Sequence, residues 1–164
     1  MFAGLASLRA GDVERAEGLL AEGRRRFEFM DDERRVAAVL VFLGAIPLNR
    51  GDYEQAEDYF GRGLVLGRTL GDAGSIYPPL YHLALAAQGK GEHARAQRYY
   101  AEVLPLGESL GDRAVVGVAL VGLAECAAAL GEPQRAAQLF GAAEAVLGSV
   151  GMSFHPFNAS AEFH

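Results

Sequence analysis

Apolar residues recur along this chain at helical spacing in blocks of about eighteen positions, and a glycine followed by an acid separates most blocks. Gly11, Gly51, Gly91 and Gly131 lie forty residues apart and open the stretches GDVERAE, GDYEQAE, GEHARAQ and GEPQRAA. A second series falls midway: Met30-Asp31-Asp32, Leu70-Gly71-Asp72, Leu110-Gly111-Asp112 and Val150-Gly151-Met152. Glycine suits the left-handed position after a helix and the acid suits the N-cap of the next, so each period reads as a helical hairpin. The pattern predicts a residual helix up to Ala10, then helices at 12–30, 33–50, 52–69, 73–90, 92–109, 113–130 and 132–149, with Pro133 where a first turn accepts proline. In the later pairs the first helix is apolar nearly all round, as in VAAVLVFLGAIPLN and VVGVALVGLAECAAAL. The second is amphipathic, as in YEQAEDYFGRGLVLGR. The first helices therefore need contacts on more than one side, and the second helices form an outer, wetter layer. A hairpin of this size cannot bury its own apolar face and depends on stacking against its neighbours. The fold class is all-α, a solenoid of antiparallel helical hairpins.

Within one period, Leu43-Gly44, Gly51, Tyr53, Ala56 and Phe60 place small residues where two helices approach and large ones where hairpins meet. The next copies carry Leu83-Ala84, Gly91, His93, Ala96 and Tyr100, then Leu123-Ala124, Gly131, Pro133, Ala136 and Phe140, and the first retains Gly4, Gly11, Val13, Ala16 and Leu20. This series resembles the tetratricopeptide repeat. HEAT and armadillo arrays have a comparable period and rank second on the glycine, small and aromatic spacing. The usual tryptophan is replaced by Leu40, Leu80 and Leu120, and the unit is forty residues long. The longer unit resembles the helical C-terminal regions of bacterial regulators of the MalT and LuxR type and of signal-transduction ATPases, and RAAQLFGAAEAVLGSVG is similar to their last repeat. That resemblance implies a TPR-like superhelix over residues 1–151, with a partial repeat at 1–31 and three full repeats at 32–71, 72–111 and 112–151. Residues 152–164 form a tail or the start of a truncated helix, with Pro156 at its head. Both ends look unfinished, an expectation that a larger polypeptide or a second copy completes the array. The resemblance further implies an ATP-binding domain and a DNA-binding helix-turn-helix elsewhere in a parent protein.

At 164 residues and 51% hydrophobic content the chain is about one domain with ample core. A net charge of −6 provides no basic field for a phosphate backbone, so direct nucleic-acid contact is not expected. The apolar run from Val36 to Leu48 is too short for a bilayer span, and the first residues lack the basic start of a signal peptide. Cys126 is the single cysteine, in the apolar stretch LAECAAAL, which fits a reducing compartment and a cytoplasmic protein. Fourteen arginines against Lys90, with abundant alanine and glycine, fit a GC-rich bacterial genome.

The residues carry no catalytic constellation, and no cofactor or metal is implied. His82, His93, His155 and His164 are not spaced as metal ligands, and His93 stands where Tyr53 and Val13 stand in other copies, a packing position. There is no phosphate-binding glycine loop. Asp31, Asp32 and Glu33 beside Arg34 and Arg35 read as a helix start, and Arg24, Arg25 and Arg26 as an exposed basic run open to an acidic or phosphorylated partner. What remains is the groove lined by the first helices. Superposing the repeats points Val41, Ala45, Leu48 and Asn49, then Tyr81, His82, Leu85 and Gln88, then Val121 and Glu125 into it. Such a surface suits an extended peptide or a helix of a protein partner. Tyr81, His82, Gln88 and Asn49 stand out because their polar groups are costly to bury unpaired. The function expected is therefore non-catalytic protein interaction, and the resemblance implies the sensor or partner-binding portion of a larger bacterial transcriptional regulator or signal-transduction ATPase. The second reading is a small-molecule inducer pocket anchored by Tyr81 and Gln88. Pro78 and Pro79 predict a late start for their helix, with Gly74 to Tyr77 as loop.

Overall fold

The computed structural model describes residues 12–152, so the helix expected before Ala10 and the tail from 153 onward, with Pro156, lie outside the described residues. Seven helices follow in order: α1 Val13–Phe29, α2 Glu33–Asn49, α3 Tyr53–Leu70, α4 Ala73–Gly89, α5 His93–Leu110, α6 Arg113–Ala129 and α7 Pro133–Gly148. No strand occurs among the described residues. Each helix packs on the next, and α2 also touches α4, as α4 touches α6. No comparable contact joins successive members of the series α1, α3, α5 and α7. The array is thus tighter on the side of α2, α4 and α6, which makes theirs the inner face.

The periodic glycine-acid pairs set the corners. Gly51, Gly71, Gly91, Gly111, Gly131 and Gly151 all have positive φ, and Asp31 takes the same conformation (φ 51) at the matching point of the first corner. The residue after the glycine often serves both neighbours. The Asp52 amide donates back to the Pro47 carbonyl at 2.9 Å, closing α2, and its carboxylate accepts from the Gln55 amide at 3.1 Å, opening α3. Asp12, Asp32, Asp72 and Asp112 cap in the same way, whereas Glu92 and Glu132, one methylene longer, make no side-chain cap bond.

Between the hairpins small residues meet large ones. Ala16, Ala56, Ala96 and Ala136 are all buried at the same repeat position. Phe60, fully buried, lies over Gly44 of its own hairpin, where an added Cβ would fall 2.5–2.9 Å from the ring, and it also meets His82 of the next, with ring centroids 5.0 Å apart. In the following repeat Tyr100 takes the place of Phe60 and Gly122 that of His82, again in contact. Leu20 and Phe42 are the corresponding pair at the start.

One expectation fails here. Pro78 and Pro79 do not delay α4, which is helical from Ala73, and Gly74 to Tyr77 are not a loop. The Asp72 carboxylate accepts from the Ser75 amide at 3.0 Å and pairs with Arg34 at 2.9 Å, which fixes the helix start. The prolines leave two carbonyls without their usual in-helix donors, yet α3 offers glycine on the facing side. The Ser75 carbonyl lies against Gly67, where any Cβ would overlap it, and buried Pro79 packs 3.6 Å from the Cβ position of Gly63. Tertiary packing overrides the local preference of residues that precede proline.

Candidate functional site

Three of the ten groove residues predicted from the sequence come together where α4, α5 and α6 meet. Gln88, near the end of α4, donates from Nε2 to Glu125 Oε2 on α6 at 2.7 Å and accepts at Oε1 from the Tyr100 hydroxyl of α5 at 2.9 Å. Tyr81, two turns earlier on α4, sets its ring edge-on to Tyr100 with centroids 6.0 Å apart. Tyr81, Gln88 and Glu125 are each partly buried, and Tyr100 is 1% exposed. The result is a fixed relay from the core to the inner face: Tyr100 orients Gln88, and Gln88 holds one oxygen of Glu125.

The electrostatics follow from this placement. Glu125 pairs with no described lysine, arginine or histidine. Burial first, then the charge of Glu125, pushes the Tyr81 hydroxyl above its ordinary value. Tyr100 is raised by burial, then by neighbouring Tyr81, Cys126 and Glu125. Cys126, wholly buried, is pushed up to about 11 by burial and then Glu125, which makes it a poor nucleophile at neutral pH.

The other predicted residues are placed differently. His82 makes no hydrogen bond to the relay: its Nδ1 lies 2.7 Å from the Pro78 carbonyl, to which it donates, and its ring meets Phe60 and Tyr81. Burial lowers its pKa, against the opposing effect of that carbonyl. Val41 is buried in the central cluster with Ala56 and Phe60, where the sequence expectation opened it to the groove; α3 and α4 cover it from both sides. Leu48 packs against the same cluster, and Leu85 against the next. Ala45 and Val121 are partly buried, and Asn49 is exposed as the last residue of α2. The desolvation argument thus requires no outside partner for Gln88, whose amide oxygen and nitrogen are both engaged within the chain, or for His82 Nδ1.

Tyr100 was absent from the sequence-derived set. Its signal is visible in hindsight: the matching positions are Leu20, Phe60 and Phe140, so a hydroxyl occurs there once. Of the basic run, Arg24 pairs with Glu28 at 3.8 Å and Arg26 with Glu22 at 2.5 Å. A separate cleft of about 710 Å³ opens between α1, α2 and α3, with buried Val36 and Leu40 and exposed Asp31, Glu33, Asp58 and Arg62 in its lining. None of the ten predicted residues lines it. Among the described residues no three histidine, cysteine or acidic side chains converge as a metal site, and no helix is long and apolar enough to cross a membrane.

Residues 76–148 match the family model for the tetratricopeptide repeat (TPR). No curated protein matches the sequence significantly. Among solved structures the chain is similar to BtubC from P. vanneervenii, at 18% identity and TM-score 0.81, over 94% of this chain and 63% of that one. It is similar to a Rap protein complexed with Competence and Sporulation Factor, at 15% identity and TM-score 0.78, over 92% of this chain and 42% of the other. The TPR domain of Arabidopsis FLU matches at 20% identity and TM-score 0.67, over 71% of this chain and 98% of that domain. This chain therefore spans less than two thirds of the length of the first two. At these identities the likenesses establish the TPR-like fold.

Proposed function

We propose that this chain, a tetratricopeptide-repeat protein over residues 76–148 with TPR-like hairpins preceding them, is a non-catalytic protein-interaction module that binds a peptide or protein segment on its inner face. The observation that carries the reading is the Tyr81, Gln88 and Glu125 constellation, a preorganised polar site beside Leu85, which packs with Tyr81 against the cluster that holds Tyr100. Apolar walls with a few convergent polar groups supply affinity and orientation respectively. The Rap structure, solved with Competence and Sporulation Factor bound, supports ligand recognition as a use of this fold.

We further infer a cytoplasmic setting within a bacterial regulator or signal-transduction ATPase, in which this segment senses a partner and other parts of the parent chain, or a second copy, act on it. The forty-residue unit and the terminal RAAQLFGAAEAVLGSVG, similar to the MalT and LuxR type of repeat, support that setting.

The test is capture of partners on immobilised wild type against Leu85→Glu on the inner face and Val65→Glu on the outer. Partners retained by Val65→Glu and lost by Leu85→Glu, with both variants folded by circular dichroism, bear the reading out. Equal loss on both faces, or retention by Leu85→Glu, overturns it. Saturable, Tyr81-dependent binding of a metabolite in the absence of protein partners would favour the small-molecule reading instead.

A further inference from the structure

Among the described residues, Glu125 carries an inner-face charge that no ion pair within the chain answers. The matching positions in the other repeats are Ala45 and Leu85, so the solenoid does not require an acid there. The carboxylate is partly buried, accepts from Gln88 through Oε2 alone, and has no described cation within ion-pairing distance. Its Oε1 is open to solvent and accepts no bond within the chain, so it keeps acceptor capacity that a cation entering from the inner face can use. The aromatic ring of Tyr81, packed edge-on against Tyr100, stands on the same face and adds a surface that attracts cations. Leu85, packed with Tyr81 against the cluster that holds Tyr100, suits the aliphatic stem of a long side chain.

We propose that this site receives a lysine or arginine side chain from an extended peptide segment, the ammonium or guanidinium meeting Glu125 and its stem lying along Tyr81 and Leu85. This deepens the inner-face reading above and rests on it. Gln88 and Tyr100 are positioning residues: they hold the carboxylate in one orientation, so a ligand finds it already arranged.

The probe is a positional library of acetylated, amidated decapeptides in which one position is fixed as Lys, Arg, norleucine or Glu. Binding to the whole chain is read by fluorescence anisotropy. Pools fixed as Lys or Arg should bind about tenfold more tightly than those fixed as norleucine, the discrimination expected of a charge-assisted hydrogen bond. Glu125→Gln keeps an oxygen to accept from Gln88 and should fold normally while erasing that preference. Raising salt should narrow the gap in wild type and leave Glu125→Gln unchanged. An unchanged preference in Glu125→Gln, or tighter binding of Glu pools, overturns the proposal. If pools bind without a cation preference and Leu85→Glu abolishes binding, only the Glu125 assignment falls. If no pool binds, or if spermidine alone binds through Glu125, the peptide reading falls with it.

Discussion

Gly122→Ala is the substitution whose outcome the packing fixes most sharply. In a solvent-facing helix, alanine for glycine stabilises by about 1 kcal/mol, because glycine loses more backbone freedom on folding. Gly122 is not solvent-facing. A Cβ there would overlap the Cζ, Cε1 and Cε2 atoms of Tyr100, whose ring is 1% exposed. The ring cannot swing outward without breaking the 2.9 Å bond from its hydroxyl to Gln88. Overpacking of this kind costs about 1–3 kcal/mol, and loss of the hydrogen bond adds roughly 0.5–1.5 kcal/mol. Set against the helical gain, the net is a destabilisation of about 1–3 kcal/mol, or roughly 4–8 °C in Tm for a 2 kcal/mol loss at this chain length. Gly141→Ala is the internal control. It sits exposed on α7 with nothing within 4 Å of its Cβ position and should stabilise by about 0.5–1 kcal/mol. Urea unfolding followed by circular dichroism reads both, a shift in midpoint at constant slope reporting stability. Combining Gly122→Ala with Tyr100→Leu, the residue type found at the matching Leu20, should remove most of the glycine variant's cost. If Gly122→Ala stabilises as Gly141→Ala does, or if its cost persists undiminished with Tyr100→Leu, Tyr100 does not pack on α6 as described and the relay to Glu125 goes with it.

Four further expectations concern two corners, the His82 proton and the thiol. Asp31→Gly should stabilise by about 0.5 kcal/mol, because glycine takes the left-handed conformation without the Cβ penalty. Glu132→Asp should gain about 0.5–1 kcal/mol by restoring the cap bond that aspartate makes at five other corners; a lower urea midpoint for either variant would count against the corner geometry. Burial depresses the pKa of His82 below that of the unfolded chain, so its contribution is intact above about pH 6.5 and declines as pH falls, when the unfolded state binds the proton first. Urea midpoints measured from pH 7.5 to 5 should therefore drop less for His82→Phe than for wild type, and parallel curves would refute the burial of that ring. Cys126, with its thiol pushed up to about 11, should react with a disulfide reagent at pH 8 about two orders of magnitude more slowly in the native chain than in urea; equal rates would show that the thiol is not enclosed.

The helices were legible because their punctuation is local. Each glycine and following acid acts on the residues within one turn of it, so a forty-residue period fixes helix ends to within one residue wherever the structure describes them. Pro78 and Pro79 were misread because what accommodates them is not local: Gly63 and Gly67 belong to the preceding helix, and nothing in the α4 sequence announces that its neighbour has made room. Val41 fails for a related reason. The same repeat position holds Tyr81 and Val121, and only the enclosure by α3 and α4 takes Val41 into the core.

The site was legible in part, and the part that escaped has a physical cause. Superposing repeats isolates inner-face positions but treats each as independent, whereas Gln88 acquires its role only through Tyr100 and Glu125, on two other helices. The residues that form the relay are departures from the period. Tyr100 is the hydroxylated member of an otherwise apolar position, Gly122 opposes it where His82 and Phe42 stand in earlier copies, and Glu125 replaces alanine and leucine. Positions that repeat are answerable to the stacking of one hairpin on the next and tolerate little else. Positions that break the period carry no such obligation, and here they converge at one junction, between the second and third complete hairpins. If the array evolved as copies of a single unit, selection for a ligand had only those exceptions to act on, which is why the departures from the repeat, rather than its most regular residues, carry the proposed site.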